Sequence, residues 1–176
     1  MDGQRTTTRS VAWAAAAAYA AGILGISYAG VSAYWGAGGT GLLETIGGSL
    51  EREGRAGTAG ILVVVWITVA LKLAASTIGV LAVVPPRWLS GRKYTLTRRA
   101  AWLAATVLMV YGGVLTLIGL LVQADILHRS ANADQTALRW HAFLWDPWFL
   151  LWGLLLAAAL VLSRRSAPEP REVSHR

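Results

Sequence analysis

Four apolar stretches decide what this chain can fold into. They lie at about residues 11–34, 60–84, 99–122 and 147–165. Each is close to the ~20 residues with which a helix crosses a hydrocarbon core of about 30 Å. Runs such as Ile61-Leu62-Val63-Val64-Val65-Trp66-Ile67 are apolar throughout. A transmembrane β-strand would alternate apolar and polar side chains, so helices are expected and strands are not. The predicted fold is all-α, an integral membrane four-helix bundle forming one domain over 11–165. A tail, 1–10, precedes it, and a flexible tail, 166–176, follows. Composition agrees, with 55% hydrophobic and 14% charged residues, where a soluble domain carries roughly a quarter charged. Such hydrophobicity excludes a disordered chain. The absence of cysteine excludes a disulfide scaffold and a thiolate metal site.

Local signals place the span ends. Pro85-Pro86 stops the second span. Asp146 reads as a helix N-cap and Pro147 as a first helical residue. On that reading the fourth span, Pro147 to Arg165, is roughly 28 Å long. The first span contains Ala18-Tyr19-Ala20, which has the form of a signal-peptidase site. The apolar run continues well past it, so a retained helix is expected.

Basic residues set the orientation, because Lys and Arg stay on the cytoplasmic side. Arg5, Arg9, Arg87, Arg92, Lys93, Arg98, Arg99, Arg164, Arg165, Arg171 and Arg176 lie on one side, and only Arg52, Arg55, Arg129 and Arg139 on the other. Both termini are therefore expected in the cytoplasm. The net charge of +7 is then mostly a topological signal. Trp13, Trp88, Tyr94 and Trp102 mark the inner interface, and Tyr34, Trp35, Trp140, Trp145 and Trp148 the outer one. Trp66 and Trp152 lie deeper and are expected to pack against neighbouring helices.

Membrane helices associate through close packing, which needs small residues at helical spacing. Ala17, Ala21, Gly25, Ala29 and Ala33 form such a ridge on the first span. It is predicted to pack on Gly112-Gly113, Thr116 and Gly119 of the third. Tyr28-Ala29-Gly30-Val31 and Tyr111-Gly112-Gly113-Val114 form a weak internal repeat. Two hairpins related by an axis along the membrane normal would produce it, though four matching positions also arise by chance. The two outer loops are expected to hold short interfacial helices. One is capped by Thr40 and ended at Gly47-Gly48; the other has Asn132 and Gln135 at capping-box spacing before Thr136 to Trp140.

Three blocks together resemble a known family. They are Trp35-Gly36-Ala37-Gly38-Gly39-Thr40, Tyr111-Gly112-Gly113, and Arg139-Trp140-His141 followed by Trp145-Asp146-Pro147-Trp148-Phe149. They resemble the bacterial membrane-protein family catalogued as domain of unknown function number 3995, from about Trp13 to Ser163. An aromatic residue often follows the Thr in that family, whereas Gly41-Leu42 stand here. The resemblance implies a four-helix protein of the bacterial plasma membrane and implies no activity.

The candidate sites are few. Lys72 lies mid-span, where a cation costs about 3 kcal/mol on insertion scales and therefore faces a bundle interior with a polar partner. Tyr111, Thr116, Ser76, Tyr19 and Tyr28 are the available partners, and no carboxylate is expected at that depth. An outer mouth is expected from Glu44, Arg139, His141, Asp146, Trp145 and Trp148, either with Asp146 capping its helix and His141 hydrogen-bonding at the interface, or with Glu44 paired to Arg139 or His141 across the loops. Its acids and histidines, including Asp125 and His128, have no recognised metal-ligand spacing. No metal or cofactor is implied. No nucleophile elbow, P-loop or His-Glu-x-x-His sequence occurs, so an enzyme is not expected. The bilayer is the expected partner. The basic segment 87–99 suits anionic lipid, and its tethering at the membrane argues against nucleic acid. The leading function is binding or moving a small or lipophilic solute in a polar cavity around Lys72. An interaction subunit, homo- or hetero-oligomeric through small-residue ridges, is the alternative. An enzyme acting on lipid head groups is the third.

Overall fold

A computed structural model describes residues 2–128 and 134–165, with side chains for 9–128 and 134–164. The regular elements among the described residues are all helical, with no strand. The elements are α1 (Asp2–Gly36), a 3-10 turn (Leu43–Thr45), α2 (Gly48–Ala56), α3 (Ala59–Val83), α4 (Gly91–Gln123), α5 (Gln135–Trp140), a π-helical turn (His141–Trp145) and α6 (Asp146–Arg165). Four stretches are long and apolar enough to cross a membrane: Arg9–Gly36, Ala59–Val83, Gly91–Gln123 and Gln135–Arg164. The chain is a multi-pass membrane protein. The Asn132 cap and the 166–176 tail lie outside the described residues.

Consecutive spans run antiparallel and lie side by side. Accordingly α1 packs on α3, and α4 on α6, and a further seam joins α1 to α6. The fourth seam, α3 against α4, is the loosest. α1 and α4 run parallel and stand diagonally opposed, so the expected packing of the α1 ridge on the α4 glycines is corrected. The α1 ridge serves α3 and α6 instead: a Cβ at Gly25 would overlap Ser76 and Trp152. The α4 glycines serve α6. A Cβ at Gly112 would lie 2.4 Å from the Leu150 backbone nitrogen, and one at Gly119 2.9 Å from Ala142 Cα. The core runs through Ala21, Ala82, Ala105, Trp152, Leu156 and Leu160.

The fourth helix differs most from expectation. It does not begin at Asp146 but continues back through the π turn and α5 to Gln135, where the Asp134 carboxylate caps the N–H groups of Thr136 and Ala137. Pro147 thus sits inside a helix, without an N–H for the preceding turn. The π turn immediately before it accommodates the missing bond. Asp146 and Pro147 look like a helix start because the residues that suit one also suit this break.

The first connection differs too. Gly47 and Gly48, read as helix terminators, have φ of +68° and +66° and lead into α2. The expected helix up to Ile46 shrinks to the 3-10 turn. The basic segment 87–99 is largely helical, since α4 already starts at Gly91.

Arg98 is there a clamp rather than a loop charge. Its guanidinium donates to Leu160 O (2.6 Å), Ser163 Oγ (3.0 Å), Ala82 O (3.3 Å) and Tyr94 Oη (3.3 Å). One side chain of α4 therefore ties together the C-terminal ends of α3 and α6, where carbonyls lack helical partners and the dipole favours a cation.

Candidate functional site

Lys72 lies near the middle of α3, and its stem reaches toward α1 rather than into lipid. Its Nζ donates to Ser32 Oγ at 2.6 Å and sits 4.0 Å from the centroid of the Tyr28 ring. Both partners come from one face of α1, because residues four apart are neighbours on a helix. Among the described residues no acid is ion-paired with Lys72. The cation is held by a hydroxyl and an aromatic face, interactions that stay favourable where water is scarce. Ser76, an expected partner, instead donates to the Lys72 carbonyl at 2.8 Å. Thr116 is not part of the site, and its Oγ1 is buried with no hydrogen-bond partner in the described structure. Tyr19 is exposed on the outer surface of α1.

Above Lys72 lies a box of aromatic rings. Tyr28 stacks on Trp145 with centroids 5.5 Å apart and touches Phe149 at 4.7 Å. Trp35 meets Trp145 edge-on at 5.7 Å. Tyr111 meets Phe149 edge-on at 5.2 Å. The two tyrosines of the internal repeat thus reach one phenylalanine from diagonally opposed helices. Trp145 and Trp148, expected at the membrane interface, turn inward. Trp145 is 3% exposed and donates its indole N–H to Thr45 Oγ1 at 3.1 Å. Trp148 donates to the Leu24 carbonyl of α1 at 3.1 Å. Trp152 packs in the core as expected, and Trp66, though half exposed, lies against Gly36 of α1.

The continuous fourth helix also moves Asp146. Its backbone abuts Gly112, eleven residues below the end of α4, or roughly 16 Å down the helix. The carboxylate is 5% exposed and acts electrostatically on both Tyr28 and Tyr111. A carboxylate therefore does lie at the depth of the Lys72 surroundings, against expectation. His141 Nδ1 stands 3.4 Å from Asp146 Oδ1, and its ring faces the Ile46 backbone of the first connection. His141 and Trp145 together fasten the first connection to the fourth helix.

The expected outer mouth is thereby divided. Glu44 pairs with neither Arg139 nor His141 but with Arg55, at 3.4 Å, and Arg55 also holds Glu51 at 2.9 Å. Arg139 is exposed and lies beside Trp140 and Phe143 on another face. Among the described residues no group of three His, Asp or Glu side chains could hold a metal.

Two cavities meet at Lys72. The first, about 250 Å³, runs from Lys72 past Tyr28, Thr68 and His141 to Ile46 and Leu50 of the first connection. Its walls are mainly aromatic and aliphatic, so the expected polar cavity is an apolar one carrying a few polar groups. The second, about 490 Å³, follows the loose α3–α4 seam past Ile78, Leu103 and Val107. Lys72, Thr68, Tyr111 and Phe149 line both.

Ser32 and Thr45 are site residues that the sequence did not single out, whereas Trp35 and Phe149 stood in the family blocks without a place in the site. Ser32 had a signal, since it is the polar residue one turn after Tyr28. The Gly-rich block after α1 is structural: a Cβ at Gly39 would enter the Tyr34 ring, and Trp35 Nε1 closes the turn on the Gly41 carbonyl at 2.8 Å.

Residues 25–156, three quarters of the chain, match the model of a family described as "Protein of unknown function (DUF3995)". No curated protein and no solved structure matches.

Proposed function

The chain belongs to this family of unknown function, DUF3995, and from its site we propose that it binds, and passes part of the way across the membrane, a small or lipophilic solute. The observation that carries the reading is the Lys72 ammonium, held between Ser32 and the Tyr28 ring and facing an aromatic-walled cavity. Ligand sites have this make-up: concave, mostly apolar, with a few placed polar groups that fix orientation. A cation within a membrane span is otherwise costly.

The proposed setting is the bacterial plasma membrane, with both termini cytoplasmic. The excess of Lys and Arg at the end that carries the termini supports it. The cavity then runs toward the outer face. The reading is non-enzymatic. His141 meets one carboxylate among the described residues, where a head-group hydrolase would need a larger converging set. The interaction-subunit alternative is weakened because Ala21, Gly25 and Ala29 of the α1 ridge are buried within the chain.

The absence of cysteine makes the test direct. Thr68→Cys and Ile61→Cys place thiols in the cavity, and Ile67→Cys places one on the exposed face of α3. A membrane-impermeant maleimide added outside is expected to label the first two and spare the third. If both cavity thiols stay unlabelled while the denatured variants react fully, the reading fails.

A further inference from the structure

The α3–α4 seam adds a second opening to the site, this time toward lipid. We propose that the occupant is a single-chain amphiphile with a carboxylate head, such as a long-chain fatty acid, its head at Lys72 and its tail in the seam. The inference rests on the solute-binding reading above and names its ligand class.

The lining carries the argument. Beyond Lys72 the seam is walled by Ala74, Ala75, Ile78, Leu103, Ala104 and Val107, and small residues on both helices keep it open. From Tyr111 to Ala100 it runs eleven residues, roughly 16 Å along the helix, which is about half of a ~30 Å hydrocarbon core and so the length of one leaflet's chain. An extended apolar groove of that length beside lipid fits an alkyl tail. Its upper end is where the polar groups stand: Lys72, Thr68 and the half-exposed Tyr111 line both cavities.

Charge selects the head. Among the described residues Lys72 has no acidic ion-pair partner, its two contacts are neutral, and the buried Asp146 carboxylate turns to His141 at 3.4 Å instead. A monoanion balances it, whereas a phosphate dianion would leave uncompensated charge in a low-dielectric site. Ser32 accepts from Lys72 and still has a hydroxyl hydrogen to give a carboxylate oxygen. The head then lies toward the loop-bearing end and the tail toward the end that carries the termini. That is the polarity of a lipid in the loop-side leaflet drawn deeper into the membrane.

The experiment uses the full chain in lipid nanodiscs and a photoreactive fatty acid with its diazirine in the chain. The alcohol and the phosphate monoester of equal length serve as comparison probes. The expected result is crosslinking at Ile78, Leu103 and Val107, with the carboxylate favoured over both other heads. Lys72→Met should weaken capture of the acid at least about tenfold, the size of a lost charge-assisted hydrogen bond, and erase the preference over the alcohol. Ala104→Phe, which keeps Lys72, should remove the seam crosslinks for all three probes. Equal capture of acid and alcohol by the wild type overturns the proposal, and needs no variant to fold. So does preference for the phosphate, or crosslinking spread evenly over Val110, Val114 and Leu117. Labelling of Thr68→Cys without seam crosslinks defeats this proposal alone, whereas loss of that labelling defeats the solute-binding reading with it.

Discussion

Replacing Arg98 with Met should destabilise the protein by about 2–3 kcal/mol, although Arg98 looks like one of several charges in a basic segment. The guanidinium makes two good hydrogen bonds, to Leu160 O at 2.6 Å and Ser163 Oγ at 3.0 Å, and two longer ones at 3.3 Å. Hydrogen bonds to a charged group contribute about 1.5–3 kcal/mol each in soluble proteins, and side-chain bonds inside membrane bundles average about 0.6 kcal/mol. The clamp lies at the end of the spans, between these regimes. The loss is moderated because Leu160 O keeps Ser163 Oγ and Ala82 O keeps the Tyr94 hydroxyl. Two strong and two weak bonds, plus the cation's interaction with two helix C-termini, give the stated ~2–3 kcal/mol. Met retains most of the apolar stem. Arg99→Met is the matched control, for it removes the same topological charge from an exposed neighbour and should cost under about 0.5 kcal/mol. The assay is reversible unfolding of the purified chain in mixed micelles with increasing SDS fraction. A shift of 2–3 kcal/mol is roughly a 30- to 150-fold change in the unfolding constant. If Arg98→Met unfolds within about 0.5 kcal/mol of Arg99→Met, the clamp does not hold the two helix ends and the reasoning is wrong.

Two further substitutions test the packing. Gly112 and Gly113 are adjacent, yet a Cβ at Gly112 would strike the Leu150 backbone and one at Gly113 would rest 3.7 Å from Leu150 Cδ1. Gly112→Ala should therefore cost about 2–3 kcal/mol in the same micelle titration, while Gly113→Ala should be neutral or stabilise by up to ~1 kcal/mol through helix propensity; equal effects would contradict the α4–α6 seam. Trp145→Phe should lose about 1–2 kcal/mol with the bond to Thr45 and speed amide exchange at Leu42–Ile46, and unchanged exchange would show that this bond does not fasten the first connection.

How much of this was legible in the sequence depends on the range of the interaction that decides it. Lys72 stood out because a charge within an apolar run is costly whatever surrounds it. Of its two partners, Tyr28 was among the candidates, whereas Ser32 lies forty residues away and was marked only by its place one turn after Tyr28. Trp145 and Trp148 read as interfacial because many Trp side chains are, and only the fourth helix's true start turns them inward. The Gly-rich block after α1 was visible as a motif, but its cause, the Tyr34 ring lying where a Gly39 side chain would be, is a matter of contact.

The sequence by itself determined the solvent and the spans. Transfer of a segment into lipid is nearly a sum over its own residues, so four stretches of sufficient length and hydropathy specify four membrane helices. Tertiary structure alone decided which helices pair, where the fourth one begins, and what Asp146 and Arg98 do. An Asp-Pro pair satisfies the local chemistry of a helix start and of a break inside a longer helix equally well. The choice between them is made by Gly112, which lets α6 approach α4 closely and places Asp146 inside the bundle rather than at its rim.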